Sequence, residues 1–206
     1  MRTSLLAAIL LVGSAASASE ATVNAGESRK PIAPAIYAAN YAGMMQQEKL
    51  ATYGIDLPVG ELAKVALLGT FGQTSASGTF NEGPTDSPAM TPALSLFTNY
   101  DGQGGHFFEH SLSVVADRNM SVFASRDEAS GKIVAVVLNF DPRSSVETTV
   151  DLLSCGPVKK QRAFQYTGNP EGLQPLEAGR LSKEGRSSVR TELPAFSMTV
   201  LELSVH

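Results

Sequence analysis

The sequence predicts an all-β fold, an antiparallel β-sandwich with one or two short helices flanking it. Three observations carry that prediction. Two apolar runs within 113–141 flank a polar stretch, Arg126 to Lys132, that contains Gly131, the signature of paired strands joined by a loop. Val146, Thr148, Val150 and Leu152 alternate with Glu147, Thr149 and Asp151, the period-two pattern of a strand with one buried face. The closing run Ser197 to Val205 is again apolar, and Gly, Pro and Asn turns separate about six such segments, as in a sandwich.

The elements follow in chain order. Arg2, the short apolar run Leu5 to Val12 and the small residues Ala16-Ser17-Ala18 read as a secretory signal peptide with an A-x-A cleavage site. The run is too short to span a bilayer, and no later segment approaches the roughly twenty apolar residues of a membrane helix. The remaining chain, about 188 residues, suffices for one domain burying roughly 70% of its unfolded surface. Residues 21–30 are polar and read as loose. Pro31 and Pro34 confine Ile32 to Tyr37 to extended, edge-strand geometry. Met44 to Thr52 and Glu61 to Leu68 read as short helices, the second with Leu62, Val65 and Ala66 on one face and Gly69 as its stop signal. From 69 to 91 Gly, Ser, Thr and Pro spell a long loop.

The apolar pattern resumes at Ala93 to Phe97 and breaks at Asp101-Gly102-Gln103-Gly104-Gly105, whose glycines permit positive φ. In the central hairpin Met120, Val122 and Ala124 fall on one face and Ser121, Phe123 and Ser125 on the other, so this strand reads as an outer one. Ile133 to Leu138 is apolar on both faces and reads as central. The expected organisation is a signal peptide over 1–18, an N-terminal edge segment with short helices and a Gly/Ser/Pro-rich loop over 19–92, and the antiparallel sandwich over 93–206.

Charge and composition exclude several classes of function. A formal net charge of −4 with 17% charged residues and no basic stripe argues against a nucleic-acid partner. Cys155 is the single cysteine, so no internal disulfide forms, and its Leu-Leu-Ser-Cys-Gly setting suits a small structural residue rather than a nucleophile. His106-Phe107-Phe108-Glu109-His110 matches H-x-x-E-H, which on a helix would place two histidines on zinc and a glutamate as base. The run follows Gly104-Gly105 and leads into a strand pattern. As a strand it would hold its histidines roughly 13 Å apart, too far for one metal. Asn119-Met120-Ser121 is a glycosylation sequon, meaningful only in a eukaryotic secretory pathway. There is no G-x-S-x-G elbow and no phosphate-cradling loop. With no tryptophan and five tyrosines, aromatic platforms for sugar are scarce; Tyr100 and Tyr166 lie near turns, and a core role fits most of the aromatics.

Several stretches, taken together, point to a family. Ala66-Leu67-Leu68-Gly69-Thr70-Phe71-Gly72, then 96–105 (LFTNYDGQGG), then Ser121-Val122-Phe123-Ala124-Ser125, Val136-Val137-Leu138-Asn139 and the closing 193–201 (LPAFSMTVL) resemble in order the C-terminal part of glycoside hydrolase family 44. Residues 30–40 (KPIAPAIYAAN) resemble that family's opening segment. The resemblance implies a secreted enzyme type, endoglucanase or xyloglucanase, whose β-sandwich accompanies a (β/α)8 barrel. Such a barrel takes about 250 residues and supplies the catalytic groups, and no counterpart of it stands between the matched segments. Hydrolysis of this kind needs two carboxylates about 5 to 9.5 Å apart, one protonated and one ionised. Glu48 lies about where the family's nucleophile would precede Leu68-Gly69, but among Met45-Gln46-Gln47 and Lys49. Asn81-Glu82 imitates the family's Asn-Glu acid/base pair inside a Gly/Ser/Pro loop, in the wrong order. Both read as solvated surface residues.

The expected function is that of a non-catalytic sandwich domain or barrel-deleted remnant of a secreted or periplasmic polysaccharide-degrading enzyme. The expected partners are a polysaccharide and a protein at the face that would pack on a barrel. No catalytic residue, cofactor site or metal ligand is assigned. The competing readings are an active glycoside hydrolase on β-1,4-glucan or xyloglucan using Glu48 or Glu82, and a zinc metallopeptidase using His106, Glu109 and His110.

Overall fold

The computed structural model describes residues 17–32, 57–73, 91–117, 120–177, 181–184 and 187–205. The expected helix at Met44 to Thr52, most of the signal peptide and of the edge segment to Tyr37, Glu48, Glu82, Asn119 and His206 lie outside them. Strands β1 (Ser17–Pro31), β2 (His110–Ala116), β3 (Met120–Asp127), β4 (Lys132–Asn139), β5 (Val146–Leu153), β6 (Val158–Tyr166), β7 (Gln174–Pro175), β8 (Leu181–Glu184), β9 (Ser188–Leu193) and β10 (Ser197–Val205) accompany helices α1 (Leu57–Gln73) and α2 (Thr91–Thr98). The all-β architecture expected from the sequence is the one observed.

Among the described residues the strands form one sheet in the order β7-β6-β10-β4-β3-β2-β1-β5-β9-β8, curled into a half-barrel. The curl brings its two halves face to face around a shared interior. Ile133, Ala135 and Val137 of β4 and Leu201 and Leu203 of β10 share that interior with Val23 of β1, Val150 of β5 and Val189 of β9, all buried. Polar groups stitch the halves together: Asn139 Nδ2 donates to the carbonyls of Leu193 at 3.2 Å and Pro194 at 2.9 Å, and Gln165 Nε2 donates to that of Glu192 at 3.1 Å. Inside a core such satisfied polar links fix one packing arrangement.

The β3–β4 hairpin forms as expected, in register from Met120 opposite Asn139 to Asp127 opposite Lys132, with Gly131 at φ 66° in its loop. Central β4 is buried on both faces from Ile133 to Leu138. The reading of β3 as an outer strand is corrected: β3 lies between β4 and β2, and Phe123 and Ser125 on its second face are buried as well.

Residues 21–30 are not loose. They belong to β1, which pairs antiparallel with β2 and parallel with β5, the one parallel pairing among the described strands. Ala21, Val23 and Ala25 point into the interior while Glu20, Thr22 and Asn24 alternate with them. Ser17 and Ala18, where the cleavage motif falls, stand opposite Val146 and Glu147.

Both helices pack on the outer face of the β3-β4-β10-β6 half. Leu62, Val65 and Leu68 of α1 and Ala93, Leu96 and Phe97 of α2 join Val134, Val136, Leu138, Met198 and Val200 in a second core. Gly69 does not stop α1, which runs on to Gln73. Its role is steric: a Cβ there would lie 2.4 Å from the ring of Phe123, so the missing side chain lets the helix settle on that ring. Ala93 to Phe97, expected within the sandwich, is helical. Thr91-Pro92 provides a helix start, and Ala93, Leu96, Phe97 and Tyr100 share the i, i+3, i+4, i+7 spacing of one helical face.

Candidate functional site

At the C-terminal end of α2 the chain turns through 99–105 and places Tyr100 and Asp101 over the outer face of β6 and β10. Two features of the turn make that placement rigid. Asp101 Oδ1 accepts the backbone N–H groups of Gln103 at 2.8 Å and Gly105 at 2.7 Å, and Asn99 Oδ1 accepts that of Gly104 at 2.8 Å. Gly102 and Gly104 adopt φ of 69° and 92°, as the glycine run predicts. Gly105 is required for a different reason, because a Cβ there would meet the Tyr100 ring at 2.6 Å and the Asp101 carboxylate at 2.8 Å.

Beneath this turn lies a charged cluster built on strand register. Glu202 of β10 stands directly opposite Arg162 of β6. Arg162 donates from Nη2 to Glu202 Oε2 at 2.6 Å, from Nε to Oε1 at 3.2 Å, and from Nη2 to Asp101 Oδ2 at 3.1 Å. Tyr100 Oη donates to Glu202 Oε2 at 2.6 Å, and Lys132 Nζ lies 3.5 Å from Oε1. The guanidinium carbon sits 5.5 Å from the centroid of the Phe164 ring, and that ring packs against Tyr100 at 5.4 Å.

The electrostatics of the cluster decide its chemistry. Burial is the largest single influence on Glu202 and would raise its pKa, but the bonds from Arg162 and Tyr100 and the charges of Arg162 and Lys132 together outweigh it and hold the carboxyl below its ordinary range. Asp101 behaves alike: burial pushes up, while the N–H groups of Gly105 and Gln103 and the bond from Arg162 bring it lower. The bond to Glu202 raises Arg162. Tyr100 is raised by burial and then by its bond to Glu202, so it stays a donor. Both acids are therefore ionised and engaged at neutral pH. A glycosidase pair keeps one carboxylic acid protonated to donate to the leaving group, and neither of these carboxyls is held in that state.

Beside the cluster runs an open groove of about 1110 Å³ between the 99–103 turn, β6 and the 170–177 segment. Its lining combines Asn99, Gln103, Arg162, Glu171 and Glu177 with Pro92, Leu173 and Pro175.

The residues singled out in the sequence are not brought together here. His106 lies in an irregular stretch, its Nδ1 2.8 Å from the Gly104 carbonyl and its ring edge-on to Phe108, whereas His110 begins β2 opposite Arg126. Without a helix the two imidazoles do not occupy successive turns, so the geometry of a zinc peptidase motif is not met. Among the described residues no three His, Cys, Asp or Glu side chains gather as a metal site. Cys155 is half-buried, and burial raises its thiol against a weaker opposing pull from Arg126. Tyr100 and Tyr166 are buried in the helix-side core rather than displayed. The Glu202 cluster is absent from the sequence reading, although one signal was present: a lone glutamate inside the apolar run Val200 to Val205.

No family model and no curated protein matches the sequence. Comparison with solved structures gives a consistent fold. The chain is similar to CelM2, a bifunctional glucanase-xylanase from a metagenome library, with 24% identity and a TM-score of 0.65 over 75% of this chain and 30% of that one. It is similar to a glycoside hydrolase family 44 endoglucanase from Clostridium acetobutylium, with 21% identity and a TM-score of 0.67 over 75% and 31%. It is also similar to a family 44 xyloglucanase from Paenibacillus polymyxa, with 20% identity and a TM-score of 0.64 over 71% and 29%. The chain thus spans about 30% of the length of these enzymes, and what it shares with them is the fold of that part.

Proposed function

We propose that this chain is a non-catalytic β-sandwich module of a polysaccharide-degrading glycoside hydrolase system, working beside a catalytic domain that lies outside the matched region. The observation that carries this reading is the shared fold, confined to about 30% of the length of enzymes that are themselves described as glucanase-xylanase, endoglucanase and xyloglucanase. The state of the buried acids supports it, since Asp101 and Glu202 are both tied to Arg162. Export is proposed from the leader-like residues 1–18, after which β1 would begin at Ser19. A protein partner is proposed at α1, where Leu67 is 36% exposed while Leu68 beside it is buried.

The test is reducing-sugar release by the purified chain on xyloglucan, carboxymethyl cellulose and mannan, with Glu48→Gln and Glu82→Gln preparations in parallel. No turnover above the variants' background is expected. Turnover that disappears in either variant would overturn the reading in favour of an active glycoside hydrolase.

A further inference from the structure

We propose that the groove between the 99–103 turn and the 170–177 segment binds an uncharged polysaccharide chain; this rests on the reading of the protein as part of a polysaccharide-degrading system. Three properties of the groove point to that ligand class.

The first is shape. At about 1110 Å³ it exceeds the roughly 300–1,000 Å³ of a typical small-molecule pocket. A ligand of several linked units suits that volume better than a single small molecule.

The second is charge. Along the wall, Arg162 and Asp101 are paired with each other and offset one for one, so this wall has directional hydrogen-bonding groups and no unpaired charge. Arg162 directs Nε and Nη2 at the two carboxylates, which leaves its Nη1 out of both contacts as a donor at the groove wall. Glu171 and Glu177 on the rim are exposed acceptors. Two rim carboxylates repel a polyanion, whereas hydroxyl groups can donate to them and accept from Arg162 and Gln103.

The third is the apolar component. Pro175 and Leu173 offer aliphatic surface against which the C–H face of a sugar ring can lie. The wall is also preorganised: the turn is pinned by Asn99 and Asp101 before any ligand arrives, so little ordering cost falls on binding.

The experiment measures binding of the intact chain to soluble xyloglucan and mixed-linkage β-glucan by affinity electrophoresis and calorimetry, with polygalacturonate and polylysine as charged controls. A triple variant, Gln103→Ala, Glu171→Ala and Glu177→Ala, removes only surface groups, and its thermal melt establishes that it is folded. The expected result is binding to the neutral polymers, weakened at least tenfold in the variant at unchanged melting temperature. Neutral-polymer binding that survives in the variant would overturn the groove assignment while leaving the proposed function standing. No neutral-polymer binding by the native chain, or stronger binding to either charged control, would also overturn it. Failure of the proposed function registers separately, as hydrolytic turnover in the reducing-sugar assay.

Discussion

On β4, Val134, Val136 and Leu138 turn outward into the layer formed by α1 and α2; on β5, the outward residues are Glu147, Thr149, Asp151 and Leu153, and they meet solvent or lie near it. Both strands belong to the same sheet and fill the same interior with their other faces. The difference is therefore a property of the second face alone. A strand apolar on both faces demands another layer, and here two helices supply it. A strand that alternates demands none. Val115 of β2, 73% exposed, and Leu153, 50% exposed, are scattered singly on the open side, and isolated apolar residues of that sort are ordinary.

Placing one charge on each of the two faces separates them most sharply. Val136→Asp buries a carboxylate with no partner under the helices, and an uncompensated buried charge costs about 3–5 kcal/mol, a large part of a domain's stability. Thr149→Asp places the same carboxylate on the open face, opposite Glu20 on one side and Arg190 on the other, and is expected to stay within about 0.5 kcal/mol of the native chain. Urea unfolding of the pair measures both. Equal losses would mean that the open face is covered after all.

A smaller effect is expected at the seam between helix and sheet. Gly69→Ala drives a methyl into the Phe123 ring, an overpacking that costs roughly 1–3 kcal/mol, while the gain in helix propensity returns about 1 kcal/mol. A net loss of about 1 kcal/mol is expected, recovered when Phe123→Leu is added to the same chain. Failure of that rescue would show that α1 does not seat on Phe123.

Acid sharpens the comparison further, because the helix-covered half carries the buried carboxylates. Glu202 and Asp101 have folded-state pKa values below their unfolded ones. Such groups contribute stability that is fully present above the unfolded pKa of about 4 and is lost as pH falls through the lower folded value. Melting temperature should therefore fall below about pH 4.5. In Glu202→Gln it should start lower at pH 7 and fall less steeply with acid. An identical acid slope in the two proteins would remove Glu202 from the account. The smallest effect belongs to the open face: Glu147→Gln removes a 3.5 Å contact with Arg190 between two side chains that are 50% and 41% exposed, and is expected to change stability by less than about 0.5 kcal/mol.

Much of the fold is legible in the residues, and its gaps have physical causes. The β3–β4 hairpin, β5 and β10 announce themselves because Val, Ile, Leu and Phe dominate their buried positions. Strand β1 hides because its inward residues are Ala21, Val23 and Ala25, too small to lift a polar stretch above the background. Helix α2 hides because its apolar residues form a short run before a loop, and the spacing from Ala93 to Tyr100 becomes visible only when the window extends past Phe97. Gly69 misleads because a glycine that ends a helix and a glycine that accommodates a neighbouring ring look the same in one dimension. The Glu202 cluster draws on residues 100, 101, 132, 162 and 202; the register of β10 with β6 and β4 brings the last three together, and the turn after α2 adds the first two. The anomaly of a charge in an apolar strand could mark Glu202, but nothing local marks Arg162 as its partner.

The position of β1 also sets a timetable. It is the first described strand in chain order, yet it lies between β2 and β5, and its parallel partner is well over half the chain away. At synthesis rates of about 5–20 residues per second, β1 leaves the ribosome on the order of ten seconds before Val146 to Leu153 exist to receive it. Pairings this distant close slowly, in milliseconds to seconds even for a finished chain. Until then the edge of β1 that β5 will cover stands open to any other strand, even after β2 has closed the opposite edge, so the yield of native protein should depend on how dilute the newly made chains are kept.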